Sequence, residues 1–476
     1  MAKDKPELID SPKELLELID SCLKPKQKEK QENGEVFTPI KIVDEMLDRL
    51  DQHHTEQYQK SIFTEINFKW LDQSVGMGNF MVAVYLRLIK KLDQQIPDLE
   101  ARKKHILENM LYMSELNKKN AFICNQIFNI NGKYKLNLHQ GDTLLLNVKK
   151  TWKLEHNYRV FDVILGNPPY NKGGIKSHTG LHLNKTVKNE TIWPSFVEQA
   201  LGWLKSNTGY LAFIHPLSWL KKSHKPTHTT HDIILEKYII WLQLWDAAKS
   251  KRTIGGKIPI SLYILQNTRN TIKQKTDILS ILTESHLKLS AFEYLNPNMS
   301  IPLAYHSIFN KLSTFIGTNK LNLEYQTKTI KTTETKKKIP KTYTLADKYC
   351  IDTFTIKDGI MVKKATIVHP DADIKKLIIA NKSSFSGAFI DNGKLGLTGN
   401  HKFYIIGDKL ELMLKLLNFK IIMKINNFTK YGQNFLDNIV FTYIPDIRKL
   451  NITDITEVEF HTMLGLTPEE ITLINN

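Results

Sequence analysis

From about residue 68 the chain alternates short apolar runs with longer stretches in which apolar residues recur every three or four positions. That rhythm predicts strands at Phe68 to Gln73, Met110 to Leu116, Tyr134 to Gln140, Phe161 to Leu165, Gly209 to His215, Ile239 to Trp245 and Ile258 to Gln266. Helices are predicted between them at Phe80 to Leu92, Ala101 to Glu108, Asn117 to Phe128 and Pro194 to Leu204. Alternation of this kind specifies a doubly wound α/β fold around a mainly parallel sheet of seven strands. Upstream, Ser11-Pro12 with Leu15, Leu16, Leu18, Ile19 and Leu23 predicts a short amphipathic helix, followed by a charged linker from Lys24 to Glu35. The run from Ile42 to Leu50 reads as a further helix, so the folded core begins near residue 34. Beyond about residue 285 the rhythm stops, and the Lys/Thr-rich stretch Thr327 to Thr344 leads into Gly-punctuated strands and a helix at Leu410 to Leu417. The expected organisation is an N-terminal helix and charged linker over 1–33, an α/β domain over 34–285 and an α+β domain over 286–476.

Charge adds a partner to this picture. The 476 residues carry 66 Lys+Arg against 49 Asp+Glu, a formal net charge of +17. An excess of that size attracts polyanions, because neutralising phosphates releases counterions, and nucleic acid is the first partner to consider. An A+T-rich genome would also raise the lysine content, so the chemistry has to decide. No long apolar run suggests a membrane span, and Cys22, Cys124 and Cys350 stand too far apart for a clustered thiolate metal site. A reducing, cytoplasmic location is expected.

Three strand ends carry candidate chemistry. The strand at Phe161 to Leu165 ends abruptly in Gly166-Asn167-Pro168-Pro169-Tyr170. Two prolines cannot continue a ladder, so they hold an extended backbone past the strand and leave a carbonyl, the Asn amide and an aromatic ring at the sheet's C-terminal edge. Two acceptors beside a ring suit a flat heteroaromatic amine. The first strand runs through Asp72 into Gly76-Met77-Gly78, where glycines two apart let the backbone approach a ligand. The second ends at Glu115, placed to accept ribose hydroxyls, and the third at Asp142-Thr143, where an acid can accept from an adenine amine. Together they describe a nucleoside site spread over successive strand ends.

The order Phe37-Thr38-Pro39, Asp72-x3-Gly76-x-Gly78, Glu115, Asp142, Asn167-Pro168-Pro169-Tyr170, Trp193 to Ala200 and Gly209 to Pro216 resembles S-adenosylmethionine-dependent N(6)-adenine DNA methyltransferases. It is similar to their gamma arrangement and, within it, to the Eco57I-like branch of restriction-modification enzymes. The resemblance covers residues 34 to about 267 well and the rest only in layout. It implies a Rossmann-like methyltransferase domain followed by a target-recognition domain, S-adenosyl-L-methionine as cofactor and double-stranded DNA as partner. By the same resemblance Phe37, Thr38 and Pro39 lie at the methionine end of the cofactor, with Asp72, Gly76 and Gly78 beneath it. Glu115 would hold the ribose, Asp142 and Thr143 the adenine edge, and Phe196 the adenine face, while Asn167 also borders the cofactor. Asn167 and the Pro168 carbonyl would accept from the target amine, Pro169 would keep that carbonyl in place, and Tyr170 would stack on the extruded base. No metal is expected.

The chain departs from the family at Gln73-Ser74-Val75, where Pro-Ala-Cys is usual, and shows no second aromatic between Ala247 and Pro259. His224, His228 and His231 have helical spacing that could suit zinc, but Pro226 and the neighbouring threonines and lysines fit a solvated segment better. Lys172, Lys176 and Lys185, with His178 and His182, stand in a long loop after Tyr170 and could reach DNA phosphates. Lys336, Lys337 and Lys338 could follow a DNA backbone, and His401-Lys402 could sit at a groove-facing tip. The residues thus read as a monomeric DNA adenine methyltransferase, with a separately encoded cognate restriction endonuclease as the further partner considered. Its rivals are a ribosomal RNA or protein-glutamine methyltransferase with the same Asn-Pro-Pro-Tyr chemistry, and a catalytically silent DNA-binding subunit.

Overall fold

The apolar runs of the first half pair into one nine-stranded sheet. The computed structural model describes residues 8–11, 15, 38–171, 191–223, 228–256, 258–283, 286–317, 319–321, 323–325, 331–333, 335–355, 359–379, 388–397, 403–429, 431 and 438–475. The chain divides into two units, Met1–Met299 and Ser300–Asn476.

In the first unit the strands are β1 (Trp70–Asp72), β2 (Leu111–Glu115), β3 (Asn137–Gln140), β4 (Val163–Gly166), β5 (Tyr210–Pro216), β6 (Lys237–Trp245), β7 (Ile260–Arg269), β8 (Thr276–Leu282) and β9 (Leu287–Glu293). Their order is β3-β2-β1-β4-β5-β7-β6-β8-β9. Strands β3 through β5 run parallel, and β7 lies antiparallel to both β5 and β6. After β1 the chain builds outward to β3, then returns to lay β4 on the other side of β1, so the crevice between those two strand ends is a topological switch point. Both faces of β1, β2 and β4 are buried, which is why these strands read as unbroken apolar runs without alternation.

The first seven strands account for the expected sheet, and β8 with β9 extends it by two. Thr276–Leu282 alternates buried and half-buried positions, a half-covered strand, and pairs parallel to β6 and antiparallel to β9. The boundary expected at residue 285 therefore falls inside a hairpin, because β9 belongs to the first sheet.

Helix Ile40–Tyr58 is longer than the run Ile42 to Leu50 suggested. Ile42, Val43, Met46, Leu47 and Leu50 form its buried stripe, but the next two turns are polar and carry no apolar period. Those turns are held by the buried His54, whose ring packs edge-on against Phe68 and Tyr210, and by Asp51, whose Oδ1 accepts from Ser61 Oγ at 2.7 Å and from Ile62 N–H at 2.8 Å.

The second unit is α+β. One four-stranded sheet joins Glu324–Tyr325, Phe403–Ile406, Lys375–Ile379 and Ala388–Asn392, and another joins Lys337–Lys338, Gly359–Lys364, Tyr349–Thr355 and Gly396–Leu397. Ile351, Val362 and Leu397 of one sheet meet Ile378 and Tyr404 of the other in a shared apolar cluster. Lys376 lies wholly inside this unit, its ammonium donating to Asp391 Oδ2 at 2.7 Å and to the carbonyls of Asp371 and Ile374 at 2.8 and 3.0 Å. Three acceptors satisfy a charge that burial would otherwise make costly.

Candidate functional site at the sheet switch point

The site is assembled at the C-terminal ends of β1, β2 and β4. Asp72 is buried at the end of β1, where its Oδ1 accepts from Ser74 N–H at 2.9 Å. Burial pushes its carboxyl up to about 8; the Ser74 N–H opposes this and the nearby Glu115 charge adds to it. Gly76 and Gly78 follow with φ of 56° and 99°, and the helix Asn79–Lys91 starts from Gly78. A Cβ on Gly78 would lie 3.2 Å from Cys124 Sγ, so the turn sits close against the helix Lys118–Asn129 beneath it. Glu115, at the end of β2, accepts from Gly76 N–H at 2.8 Å and from Asn117 N–H at 2.7 Å. It thus anchors the glycine turn, a role that strand-end logic did not show.

The third strand end is more open. Asp142 is exposed and caps the short helix Thr143–Leu145 through Leu144 N–H at 3.0 Å. Thr143 is buried and donates its hydroxyl to the Gln73 carbonyl at 2.7 Å.

The Asn-Pro-Pro-Tyr segment meets the glycine turn through one residue. Asn167 Nδ2 lies 3.4 Å from Thr38 Oγ1, and the Thr38 carbonyl accepts from Asn79 Nδ2 at 2.8 Å. Ser74 Oγ donates to the Asn167 carbonyl at 3.3 Å. Thr38, Asn79 and Asn167 therefore form a chain linking the segment before the first helix, the helix after Gly78 and the segment after β4. The half-buried Tyr170 ring packs on the apolar core, and burial raises its hydroxyl above the ordinary tyrosine range, with Asn167 pulling the other way. The Tyr170 carbonyl accepts from Ile192 N–H at 3.1 Å, and Asn171 bridges Thr191, so the backbone at residues 170–171 is tied to that at 191–192.

Helix Trp193–Trp203 follows, with Pro194 in its first turn and Phe196 buried on its inner face. Trp193 stacks on His215 at 4.2 Å, and His215 Nε2 lies 3.0 Å from the Tyr263 hydroxyl. Burial pushes His215 down to about 3, which keeps this imidazole neutral. Asn79, Ser74, Gln73 and Gln199 carry site contacts that the motif reading passed over. Asn79 could have been noticed, because it directly follows Gly78. Gln73 and Gln199 stand 126 positions apart, and no spacing joins them.

Other expectations fall elsewhere. Phe37, Lys172, Lys176, His178, His182, Lys185, His224, His401 and Lys402 lie outside the described residues. His231 is buried with Nδ1 2.9 Å from the Trp219 carbonyl and Nε2 3.2 Å from that of Pro297, so its ring is committed to the backbone. His228 faces Glu236 at 3.7 Å. Among the described residues no group of three His, Cys, Asp or Glu could hold a metal ion, and no helix is long and apolar enough to cross a membrane. Lys336 to Lys338 are exposed in the second unit; Lys337–Lys338 forms an edge strand, and Lys337 Nζ lies 5.3 Å from the Tyr349 ring centre.

A glycine turn after the first strand, an acid after the second and Asn-Pro-Pro-Tyr after the fourth thus gather around one switch point of a doubly wound α/β sheet. Residues 85–251 match the model of the Eco57I restriction-modification methylase family. A 105-residue stretch is 37% identical to an uncharacterized adenine-specific methylase of Mycoplasma pneumoniae, covering 22% of each chain. The match thus spans about a fifth of the curated relative's length. The type IIL restriction-modification enzyme MmeI, solved in complex with DNA, shares the fold with a TM-score of 0.50 and 12% identity over 89% of this chain and 70% of its own. A nuclease-deletion mutant of the type ISP restriction-modification enzyme LlaGI, solved with a DNA substrate mimic, aligns with a TM-score of 0.49 and 14% identity over 93% of this chain and 48% of that one.

Proposed function

We propose that the chain is a site-specific DNA methyltransferase acting in the cytoplasm, within a restriction-modification or DNA self-marking system. Its substrate is the exocyclic N(6) amine of an adenine flipped out of double-stranded DNA, and its methyl donor is S-adenosyl-L-methionine. The observation that carries the reading is the Asn79–Thr38–Asn167 chain, which brings the glycine turn and the Asn-Pro-Pro-Tyr segment to a single point. The residues present fit such a cofactor: Gly76 and Gly78 hold positive φ, Gly78 packs without room to spare on Cys124, and Asn79 Oδ1 is buried with no donor among the described residues.

When bound, S-adenosylmethionine supplies an already activated methyl group on its sulfonium. The chain then has to position and desolvate the acceptor. Asn167 and the Pro168 carbonyl accept from the two amine N–H groups and direct the nitrogen lone pair, while Tyr170 stacks on the base. Thr38, Asp72, Gly76 and Gly78 bind the methionine side, Glu115 the ribose, Asp142 and Thr143 the adenine edge, and Phe196 the adenine face. The second unit recognises the target, with Lys336 to Lys338 on phosphates.

The test is incubation of the purified protein with labelled S-adenosylmethionine and unmethylated DNA, with RNA and release-factor protein as controls, followed by digestion and identification of the labelled base. Label in N(6)-methyladenine that disappears in Asn167→Ala supports the reading. Label in RNA or protein alone overturns the substrate, and cofactor binding without transfer to any of them makes a silent DNA-binding subunit the better description.

A further inference from the structure

Three residues behind the site, Gln73, Gln199 and Thr143, form a closed polar ring to which Ser114 adds a further bond. Gln73 Nε2 donates to Gln199 Oε1 at 2.8 Å, Gln199 Nε2 donates to the Thr143 carbonyl at 2.9 Å, and the Thr143 hydroxyl donates to the Gln73 carbonyl at 2.7 Å. Ser114 Oγ lies 2.7 Å from Thr143 Oγ1; because the threonine proton is spent on Gln73, the serine is the donor. The ring therefore touches the ends of β1 and β2, the turn after β3, and helix Trp193–Trp203.

Its direction is set by chemistry. The Thr143 carbonyl can only accept, so Gln199 must turn its amino group there and its oxygen toward Gln73. Gln73 must then present its own amino group, which leaves Gln73 Oε1 buried without a donor among the described residues. An unsatisfied buried acceptor is a cost that a purely structural contact would not be expected to keep. Gln73 also stands where the resembling family usually has proline, so this chain joins through a side chain what a proline could not join at all. Phe196 lies one helical turn before Gln199, on the same face.

We infer that Gln73 and Gln199 are a positioning pair that sets the adenine side of the cofactor site, by locking the helix carrying Phe196 to the Asp142-Thr143 turn. This rests on the methyltransferase reading above. The pair works as a unit: without Gln73 the Gln199 amide keeps the Thr143 carbonyl but loses the donor that fixes its oxygen, and without Gln199 the Gln73 amino group loses its acceptor in the ring.

The experiment is calorimetric titration of S-adenosylhomocysteine, and of 5′-methylthioadenosine as a probe without the amino-acid moiety, into the full chain and into Gln73→Met, Gln199→Met and Gln73→Met/Gln199→Met, with thermal melting alongside. Gln73→Met keeps a similar length and adds no charge but removes the donor. The expected result is about a tenfold loss of affinity in each single variant, equal for both probes, with the double variant no weaker than either single. Unchanged affinity in folded single variants overturns the inference, and so does a double variant in which the two losses multiply. If the singles fail to melt cooperatively, the double variant decides: affinity equal to the parent overturns the inference, and a tenfold loss with a normal melt upholds it. Parent protein that binds neither probe overturns the methyltransferase reading itself, and this inference with it.

Discussion

Gly166 lies directly against Asp72: a Cβ built on this glycine would stand 2.7 Å from Asp72 Oδ1. Its φ of 147° is also one that side chains disfavour. The last residue of β4 is thereby shaped to admit the carboxyl at the end of β1. Gly166→Ala is expected to cost on the order of 1–3 kcal/mol of stability and to displace Asp72 from the site. Chemical denaturation and cofactor titration of this variant check both; parent-like values in the two would refute the packing argument.

The Asp72 carboxyl carries a pH signature. Its folded value of about 8 stands above that of an unfolded aspartate, so over the interval between them the folded chain keeps a proton that the unfolded chain has lost. The stability this contributes is full below about pH 4 and declines as pH rises through about 8. Asp72→Asn removes the titration. Urea midpoints followed across that range should fall with pH more steeply in the parent than in the variant, and parallel curves would count against it.

On the proposed function, the chain from Asn79 through Thr38 to Asn167 makes Asn79 a support of the reacting end. Asn79→Ala leaves the Thr38 carbonyl without that donor in a buried place, a loss of about 1–3 kcal/mol. Under the proposed function, methyl transfer falls with it, because Thr38 no longer holds its position beside Asn167. Single-turnover assays at saturating cofactor separate this from weaker binding.

In the second unit, breaking the buried Lys376–Asp391 pair from one side should be severe. Asp391→Ala leaves an ammonium inside with only two backbone carbonyls, for an expected loss of about 3–5 kcal/mol. Lys376→Met/Asp391→Leu removes both charges and should recover much of the loss. A double variant as unstable as Asp391→Ala would show that the pair contributes net stability. The two units need not unfold together, so the transition is best followed by hydrogen exchange within residues 375–397.

If Lys336, Lys337 and Lys338 neutralise phosphates, replacing all three with alanine lowers the slope of log affinity against log salt by about 0.9 for each phosphate they cover. The effect should be uniform across DNA sequences. An unchanged slope would assign phosphate binding to other residues.

Much of this was legible in the chain itself. The first seven strands announce themselves as short apolar runs, since a strand buried on both faces has no polar positions to conceal it. Strand-end residues Asp72, Glu115, Asp142 and Asn167 were visible because the chain breaks its pattern sharply there, with glycine pairs or prolines. Strands β8 and β9 escaped because they are half-covered, and a partly polar strand beside a polar stretch resembles the start of something else. The second half of helix Ile40–Tyr58 escaped for a related reason: hydrogen bonds to Asp51 and the ring contacts of His54, rather than an apolar stripe, hold it in place.

What the sequence determined alone was the kind of sheet, the order of its motifs and the region now matched to the Eco57I family, because periodicity and local breaks are properties of neighbouring residues. The tertiary structure decided which side chains touch. Gln73 reaches Gln199, Asn79 and Asn167 meet on Thr38, Gly166 yields to Asp72, and Lys376 is neutralised inside the second unit by Asp391. Each of these pairings joins parts of the chain that only the packed fold brings together, and their strength comes from exclusion of water, which no local pattern records.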